Sequence, residues 1–473
     1  MSSNTTTERA AENGDGKDSE VAAAAVIDTP KLSIWELAWP AIVSNLLFAV
    51  IGVITIKIVG TLGAEAVAAV TTGHRIFFGL QAILMAVSAG TTALVARAWG
   101  AKDYAEAAKA TSVSLVIGNI VAIVLMIPCI VFSEQIAGIF GLDAQTTAQA
   151  ADFIHYLSMF NIAFAINMVL GTALRSAGDT KTPLWIGVIT NIVNVILVYV
   201  LVFGWYGFPE MGVTGAAVAN GISFTVGAVI FLALWFRRKL VVDVGGWDSL
   251  TSNRIRQLVH IGYPAGVEQF IFQAGFIAFL WIVAYYGTEA FAAYGIGVQI
   301  LSLSFVVGFG FSIAGATLVG QHLGAGNPAG AVQQGWKATR LAIVSMVALS
   351  LIIVVFAEQI ASFLIQDELV VQHTITFIYI MALAQPLMAI DFTLSGCLRG
   401  AGDTRFPLLT TMAGLIGARV GLAVLFTYLG LSVDWIFGAL IGDYVVKAVM
   451  LVHRFQSGKW KQIFVESENK FSS

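Results

Sequence analysis

LRSAGDTKTP at residues 174–183 returns as LRGAGDTRFP at residues 398–407, a separation of 398 − 174 = 224. The same offset, without a gap, aligns Pro40 with Pro264, Gly63 and Glu65 with Gly287 and Glu289, and Ala68 and Ala69 with Ala292 and Ala293. It also pairs Leu94, Val95 and Gly100 with Leu318, Val319 and Gly324, Glu134 to Ala137 with Glu358 to Ala361, and Asp143 with Asp367. A repeat of half the chain is too long for a solenoid unit of about 20 to 50 residues, so it reads as two homologous halves. In an apolar chain, two such halves suggest a transporter built from related bundles.

The 473 residues are 58% hydrophobic and 11% charged, with a mean hydropathy of +0.84, whereas a soluble domain carries about 25% charged residues. Apolar runs of about 20 residues or more, each long enough to cross a bilayer, recur along the chain. They predict spans at 33–59, 65–97, 105–132, 146–175, 181–204 and 213–238, then 255–284, 289–321, 329–356, 369–399, 405–430 and 434–455. The fold class expected is therefore an all-α polytopic membrane protein, with twelve transmembrane helices in two pseudo-symmetric six-helix lobes. Residues 1–32 read as a disordered tail, 33–238 and 255–455 as the lobes, 239–254 as their linker and 456–473 as a second tail. No cleaved signal peptide is expected, because the first apolar segment is too long for a signal h-region.

Lys and Arg gather in alternate connections: Lys102 and Lys109, Arg175 and Lys181, Arg237 to Arg256, Lys337 and Arg340, Arg399 and Arg405. The other connections hold acids such as Glu65, Glu134, Asp143, Glu289, Glu358 and Asp434. By the positive-inside rule the basic face and both termini are cytoplasmic, and an even number of spans per half makes the repeats parallel. Cys129 and Cys397 then lie near opposite faces, too far apart for a disulfide. A net charge of −3 without basic, aromatic-studded stretches gives no sign of nucleic-acid binding.

Within the repeated loop, Gly178 or Gly402 suits the positive φ that ends a helix. Asp179 or Asp403 resembles an N-cap for the next helix, and Pro183 and Pro407 fall in its first turn. Arg175 and Arg399 read as partners of lipid phosphate or helix carbonyls. GAGD at 400–403 also matches the G-x-G-D pattern of intramembrane aspartyl proteases, but that chemistry needs a second aspartate nearby, and the first copy reads SAGD. No H-E-x-x-H, G-x-S-x-G or Walker loop occurs, so the chain reads as a transporter rather than an enzyme.

Ionisable residues inside spans are costly and usually face a bundle interior or a cavity, so they are the functional candidates. Glu268 lies one turn after Pro264, about 18 Å into span seven if that span starts near Arg256. With Asp391 in span ten it is the candidate cation-coupling pair, for H+ or Na+. Arg419 can pair with Glu268, Asp391 or Asp443, and Asp443 and Lys447 stand one helical turn apart, so Arg419, Asp443 and Lys447 read as structural counter-charges. Candidate cavity-lining residues are Gln269, Phe272, Tyr294 and Gln299 in the second half and Asn191 and Asn194 in the first. Tyr294 with Phe270, Phe272 and Phe276 offers aromatic faces to a flat organic cation. Arg75 needs a partner the sequence does not name, His155 reads as a hydrogen-bonded core residue, and Lys57 as a snorkelling end. Trp35, Trp39, Trp205, Tyr206, Trp435 and Trp460 read as interfacial belts.

LRSAGDT and LRGAGDT, GTLGAEAVAAV and YYGTEAFAAYGIG, and LVARAWGAKD and LVGQHLGAG together resemble the multidrug and toxic compound extrusion family, over residues 33–455. The resemblance implies a V-shaped pair of six-helix lobes that alternate access and export cationic or amphipathic organic molecules in exchange for Na+ or H+. It implies no other cofactor, no metal beyond Na+ at Glu268 and Asp391, membrane lipids as surroundings, and a monomer in the plasma or inner membrane. One branch of that family carries aspartates in spans one and five. The corresponding positions here are Thr55 and Val198, which shifts the expected ion site to Glu268 and Asp391. A lipid-linked precursor flippase of the same superfamily, with a broad basic cavity, is the alternative, and a passive channel with a continuous pore is a more distant one.

Overall fold

The computed structural model describes residues 32–463 apart from Val244, Trp247, Asp248 and Gln366, so the tail expected at 1–32 and most of that at 456–473 lie outside the described residues. The first half comprises α1 (Ile34–Gly60), α2 (Ala64–Gly100), α3 (Tyr104–Val131), α4 (Ser133–Gly138), α5 (Ala144–Ser158), α6 (Asn161–Ser176), α7 (Lys181–Phe203) and α8 (Gly212–Phe236). The second comprises α9 (Ser252–Tyr285), α10 (Thr288–Gly324), α11 (Pro328–Val355), α12 (Ala357–Leu364), α13 (Glu368–Gly400), α14 (Arg405–Thr411), a π-helical segment (Met412–Val420), α15 (Gly421–Tyr428) and α16 (Val433–Ser457). Among the described residues eleven helices, with Arg405–Tyr428 taken as one, are long and apolar enough to cross a membrane, and the pair α5 and α6, bent by 56°, makes a twelfth if it is one span.

Two departures from regular helix stand out. The fourth span, expected as one helix, bends after Ser158 without a proline or glycine at the break. Gly221, which has no side chain, leaves room for the Phe160 ring, and Asn161 Nδ2 donates to the Ala122 carbonyl at 2.9 Å. Its counterpart α13 carries Pro386 internally and remains a single helix. The other departure, the π segment, lies in span eleven and is part of the site described below.

The repeated loop binds each half together. Gly178 and Gly402 take φ of 97° and 90°; the N-cap of α7 is Thr180 rather than the expected Asp179, although Asp179 Oδ1, one residue earlier, accepts from Thr182 N at 2.9 Å. Pro40 has no N–H, so it frees the Glu36 carbonyl one turn earlier; Thr180 Oγ1 donates to that carbonyl at 3.2 Å. In the second copy Thr404 Oγ1 donates to Ile261 O beside Pro264 at 2.5 Å. Asp403, drawn up from the ordinary carboxylate range by burial, is held by Arg454 at 2.8 Å rather than facing a second aspartate. That arrangement is unlike a protease dyad.

The halves meet along their basic ends. Gly100 lies on the Gln321 carbonyl and Gly324 on the Arg97 carbonyl, and these are repeat mates (100 + 224 = 324; 97 + 224 = 321). Gly262 packs on Ala86 of α2, and Gly310 on Ala38 and Ile42 of α1. Gln321 Nε2 and Thr317 Oγ1 donate to the carbonyls of Ser176 and Arg175 at 2.9 and 3.1 Å. A bidentate pair, Arg254 to Glu106 at 2.7 Å on both arms, ties the start of α9 to α3. Nearer the acidic face the glycines of α2 and α10 pack within their own half, Gly73 against Phe153 and Gly297 against its mate Phe377. The two lobes are thus joined on the basic side, where Ile34, Leu37 and Ala38 of α1 enter the second lobe's apolar core, while the first lobe keeps a core of its own.

Trp460, expected in an interfacial belt, is instead fully buried. Its ring stacks on Phe455 with centroids 4.8 Å apart, and its indole N–H donates to the Phe455 carbonyl. The short turn at Lys459–Lys461 folds it back onto α16. Cys129 and Cys397 are free and buried. His155 Nδ1 lies 3.1 Å from Ile130 O, the hydrogen-bonded core role expected. Arg75 and Lys57 are exposed on the helix surface.

Candidate functional site

Glu268 does not meet Arg419. Its Oε1 accepts from Arg399 at 2.6 Å and from Thr411 Oγ1 at 3.1 Å. Arg399 is one residue from the end of α13, so the arginine read as a lipid or carbonyl anchor is the partner of the candidate coupling acid. The depth inferred from the helix start is revised accordingly. α9 begins at Ser252, but Ile261, seven residues before Glu268, is already level with the repeated loop through Thr404. Glu268 therefore lies about 10 Å inward of that loop at 1.5 Å per residue.

Deeper in the same half lies a chain of four charged side chains. Asp443, with a fully buried side chain, forms ion pairs with Arg419, whose Nη2 is 2.5 Å from one oxygen, and with Lys447, whose Nζ is 3.2 Å from the other. Lys447 also reaches Asp391 Oδ2, but at 3.7 Å, and Ser395 Oγ lies 3.4 Å from the other Asp391 oxygen. Glu268 and Arg399 are near enough to act electrostatically on Asp391, which joins the two clusters. The acids Glu268, Asp391 and Asp443 balance the bases Arg399, Arg419 and Lys447, so the ionised group is neutral.

Aromatic rings shield this chain. Arg419 lies over Phe279 and Tyr444, 5.7 and 5.6 Å from their centroids, and Lys447 lies 5.3 Å from Tyr444. The π segment supplies Arg419, and π turns often occur where a helix is shaped for function. Within it Gly414 faces α16 so closely that a methyl group would overlap Asp443 Oδ1 and lie 2.6 Å from Lys447 Cγ. Gly414→Ala is therefore expected to cost about 1–3 kcal/mol through overpacking, read as a lower unfolding midpoint in detergent.

The other candidates separate. Tyr294, expected to line a cavity, is 1% exposed and packs in an aromatic core with Phe279, Phe377 and Phe437. Gln269 and Phe272 are half-buried on α9, Gln299 is exposed on α10, and Asn191 is half-buried on α7. Asn194 is buried and donates to Asn220 Oδ1 at 2.7 Å.

The family model MatE matches residues 40–200 and 264–429, two segments whose starts differ by the repeat offset of 224 (264 − 40). The chain belongs to the MATE family. A relative in Thermotoga maritima, named a probable multidrug resistance protein NorM, is 32% identical over 436 residues, covering 90% of this chain and 92% of its own. The uncharacterized transporter YisQ of Bacillus subtilis is 24% identical, covering 91% and 95%. Among solved structures, one described as an outward-facing conformation of a multidrug resistance MATE transporter superposes with a TM-score of 0.83 at 21% identity, covering 90% and 96%. A transporter of the wider MOP superfamily from Pyrococcus furiosus, described as having a binding pocket of reversed polarity, gives 0.80 at 21%, covering 92% and 96%.

In this MATE chain the two lobes differ at the charge cluster. The repeat mates of Glu268, Asp391, Arg419, Asp443 and Lys447 are Ser44, Asn167, Val195, Ala219 and Ser223. Asn167 donates to the carbonyls of Ala163 and Phe224, both at 2.7 Å. The Asn194 to Asn220 pair stands one residue from the mates of Arg419 and Asp443. The MATE scaffold thus closes the first lobe with neutral amides.

Proposed function

We propose that the chain is a secondary active antiporter that exports cationic or amphipathic organic compounds, as a monomer, in exchange for Na+ or H+. The observation that carries this reading is the confinement of buried acids to one lobe. Asp391 keeps 16% of its side chain exposed and Glu268 13%, against 0% for Asp443, so the first two are the less enclosed acids and the ones we assign to the incoming cation. Each already faces a base, and a cation arriving there competes with that base and alters the packing of α9, α13 and α16. A ligand shifts a conformational equilibrium only through such a difference between states. With Lys and Arg on the cytoplasmic side, both termini are cytoplasmic, and the joined basic ends make this an outward-facing state. A flippase would use a broad basic cavity, whereas Arg399, Arg419 and Lys447 each face a carboxylate.

The test is transport in proteoliposomes under separately imposed Na+ and H+ gradients, with an organic cation as cargo. Glu268→Gln is expected to lose gradient-driven export by at least about ten-fold, as expected for loss of a charge-assisted contact worth 1.5–3 kcal/mol. Undiminished export by the variant removes Glu268 from the site, and export indifferent to both gradients in the unmodified protein removes antiport altogether.

A further inference from the structure

We propose that the Lys447 ammonium is a tethered cation that holds the coupling site in the absence of the transported one, and is displaced from Asp391 toward Asp443 when a proton or Na+ binds. This deepens the antiport reading and rests on it. The two carboxylates Lys447 serves are held unequally. Asp443 is doubly compensated, by Arg419 at 2.5 Å and Lys447 at 3.2 Å, and has no exposed side-chain surface. Asp391 has Lys447 at 3.7 Å, beyond hydrogen-bond reach, and only a long contact from Ser395 besides. An incoming cation meets the loosely held acid first.

Lys447 then has somewhere to go. Its stem is confined by Gly414, and Tyr444 lies beside its ammonium group. Asp443 is already the nearer acid, so release from Asp391 needs a shift of the tip alone. Three bases and three acids face one another here: Arg399, Arg419 and Lys447 against Glu268, Asp391 and Asp443. A bound monovalent cation leaves the cluster with one excess positive charge, and repulsion between that charge and Lys447 drives the tip away from α13. The ionic link between α13 and α16 is thereby cut, while their apolar packing remains. On α13, Asp391 lies two turns from Arg399, and beyond it Asp403 is bonded to Arg454 of α16, so the loosened helix leads directly to the repeated loop.

A tether that competes with the transported cation makes a signed forecast. Lys447→Gln removes the competitor, and the Na+ concentration or proton activity giving half-maximal export should fall by at least about ten-fold, given the strength of a buried charge interaction at this range. Lys447→Arg keeps the charge and extends its reach toward Asp391, so the half-maximal value should rise. Measurements on the full chain in proteoliposomes, with NaCl replaced by choline chloride in one series and pH varied in the other, distinguish the two cations. A purely structural lysine lowers the amount of folded protein in either variant and leaves the half-maximal value unchanged; that result, in both series, overturns the proposal. Should Lys447→Gln not fold, the rise in Lys447→Arg decides alone, and no rise overturns it. If the unmodified protein shows no dependence on either cation, it is the antiport reading that fails, and the Lys447 proposal falls with it.

Discussion

Asp443→Asn is expected to be the most destabilising conservative substitution in the chain, at about 3–5 kcal/mol, because it leaves two buried cations facing a neutral amide. Asp443 has no exposed side-chain surface and receives Arg419 and Lys447 on separate oxygens. Its amide replacement keeps the shape and one acceptor, so the loss isolates the charge. Unfolding in mixed micelles of increasing denaturing detergent gives the measurement. Asp443→Asn combined with Arg419→Met should recover most of the loss, since removing both members of a buried pair is often close to neutral. A single variant as stable as the unmodified protein would show that the pair contributes nothing, and that the cluster is not held as the distances state. The first lobe supplies the control: it packs the neutral Asn194 to Asn220 pair in the neighbouring register, so the scaffold itself tolerates amides there.

Most of the fold was legible in the sequence because two strong signals agreed. Hydropathy marked the spans, and the offset of 224 fixed the register between halves, so each boundary was in effect read twice. Where the structure departs, the cause is a tertiary contact without a local signature. The bend in the fourth span has no proline because Phe160 is seated on Gly221 and Asn161 on a carbonyl of α3; the proline stands in α13, which remains one helix. The π segment has a faint signal in Gly414, Gly417 and Gly421, residues of low helical propensity, but only the acid packed on Gly414 explains why the turn is widened there.

The site was legible in its members and not in its pairs. Asp443 and Lys447 are one turn apart, so their contact follows from helix geometry alone. Arg399 and Glu268 are 131 residues apart, and nothing in the spacing favours that pair over Arg419 with Glu268. The depth of Glu268 does not follow from the helix start either, because that start says nothing about where the neighbouring helices cross it. A useful signal was nonetheless present: both copies of the repeated loop carry an arginine, but only the second faces a half in which position 268 is acidic, its mate being Ser44. Reading the repeat for differences at every position, not only within spans, brings Arg399 into the site.

The last expected result concerns the seal rather than the site. Gly100 and Gly324 each lie against the carbonyl of the other half's mate residue, Gln321 and Arg97, so the basic ends of α2 and α10 close by a reciprocal contact that only a hydrogen side chain permits. Gly100→Ala inserts a methyl group into that contact, at a cost of about 1–3 kcal/mol to the closed state. The closed arrangement should lose population relative to any state in which these ends part, by roughly 5- to 150-fold. Spin labels on the exposed mates Ala105 and Ala329, in the first turns of α3 and α11, report the separation of the lobes at this face. Their distance distribution should move outward in Gly100→Ala and by a similar amount in Gly324→Ala, because the two contacts are related by the repeat. An unchanged distribution in both variants would mean the seal is held elsewhere, by the Arg254 to Glu106 pair, whose removal should then open the face by itself. The nearest neighbours of each added methyl group all belong to the other half, so folded yield should be retained while transport falls. The reciprocal glycine contact is thus one of several, with Gly262 on Ala86, Gly310 on Ile42 and the Arg254 to Glu106 pair, that hold the basic face closed.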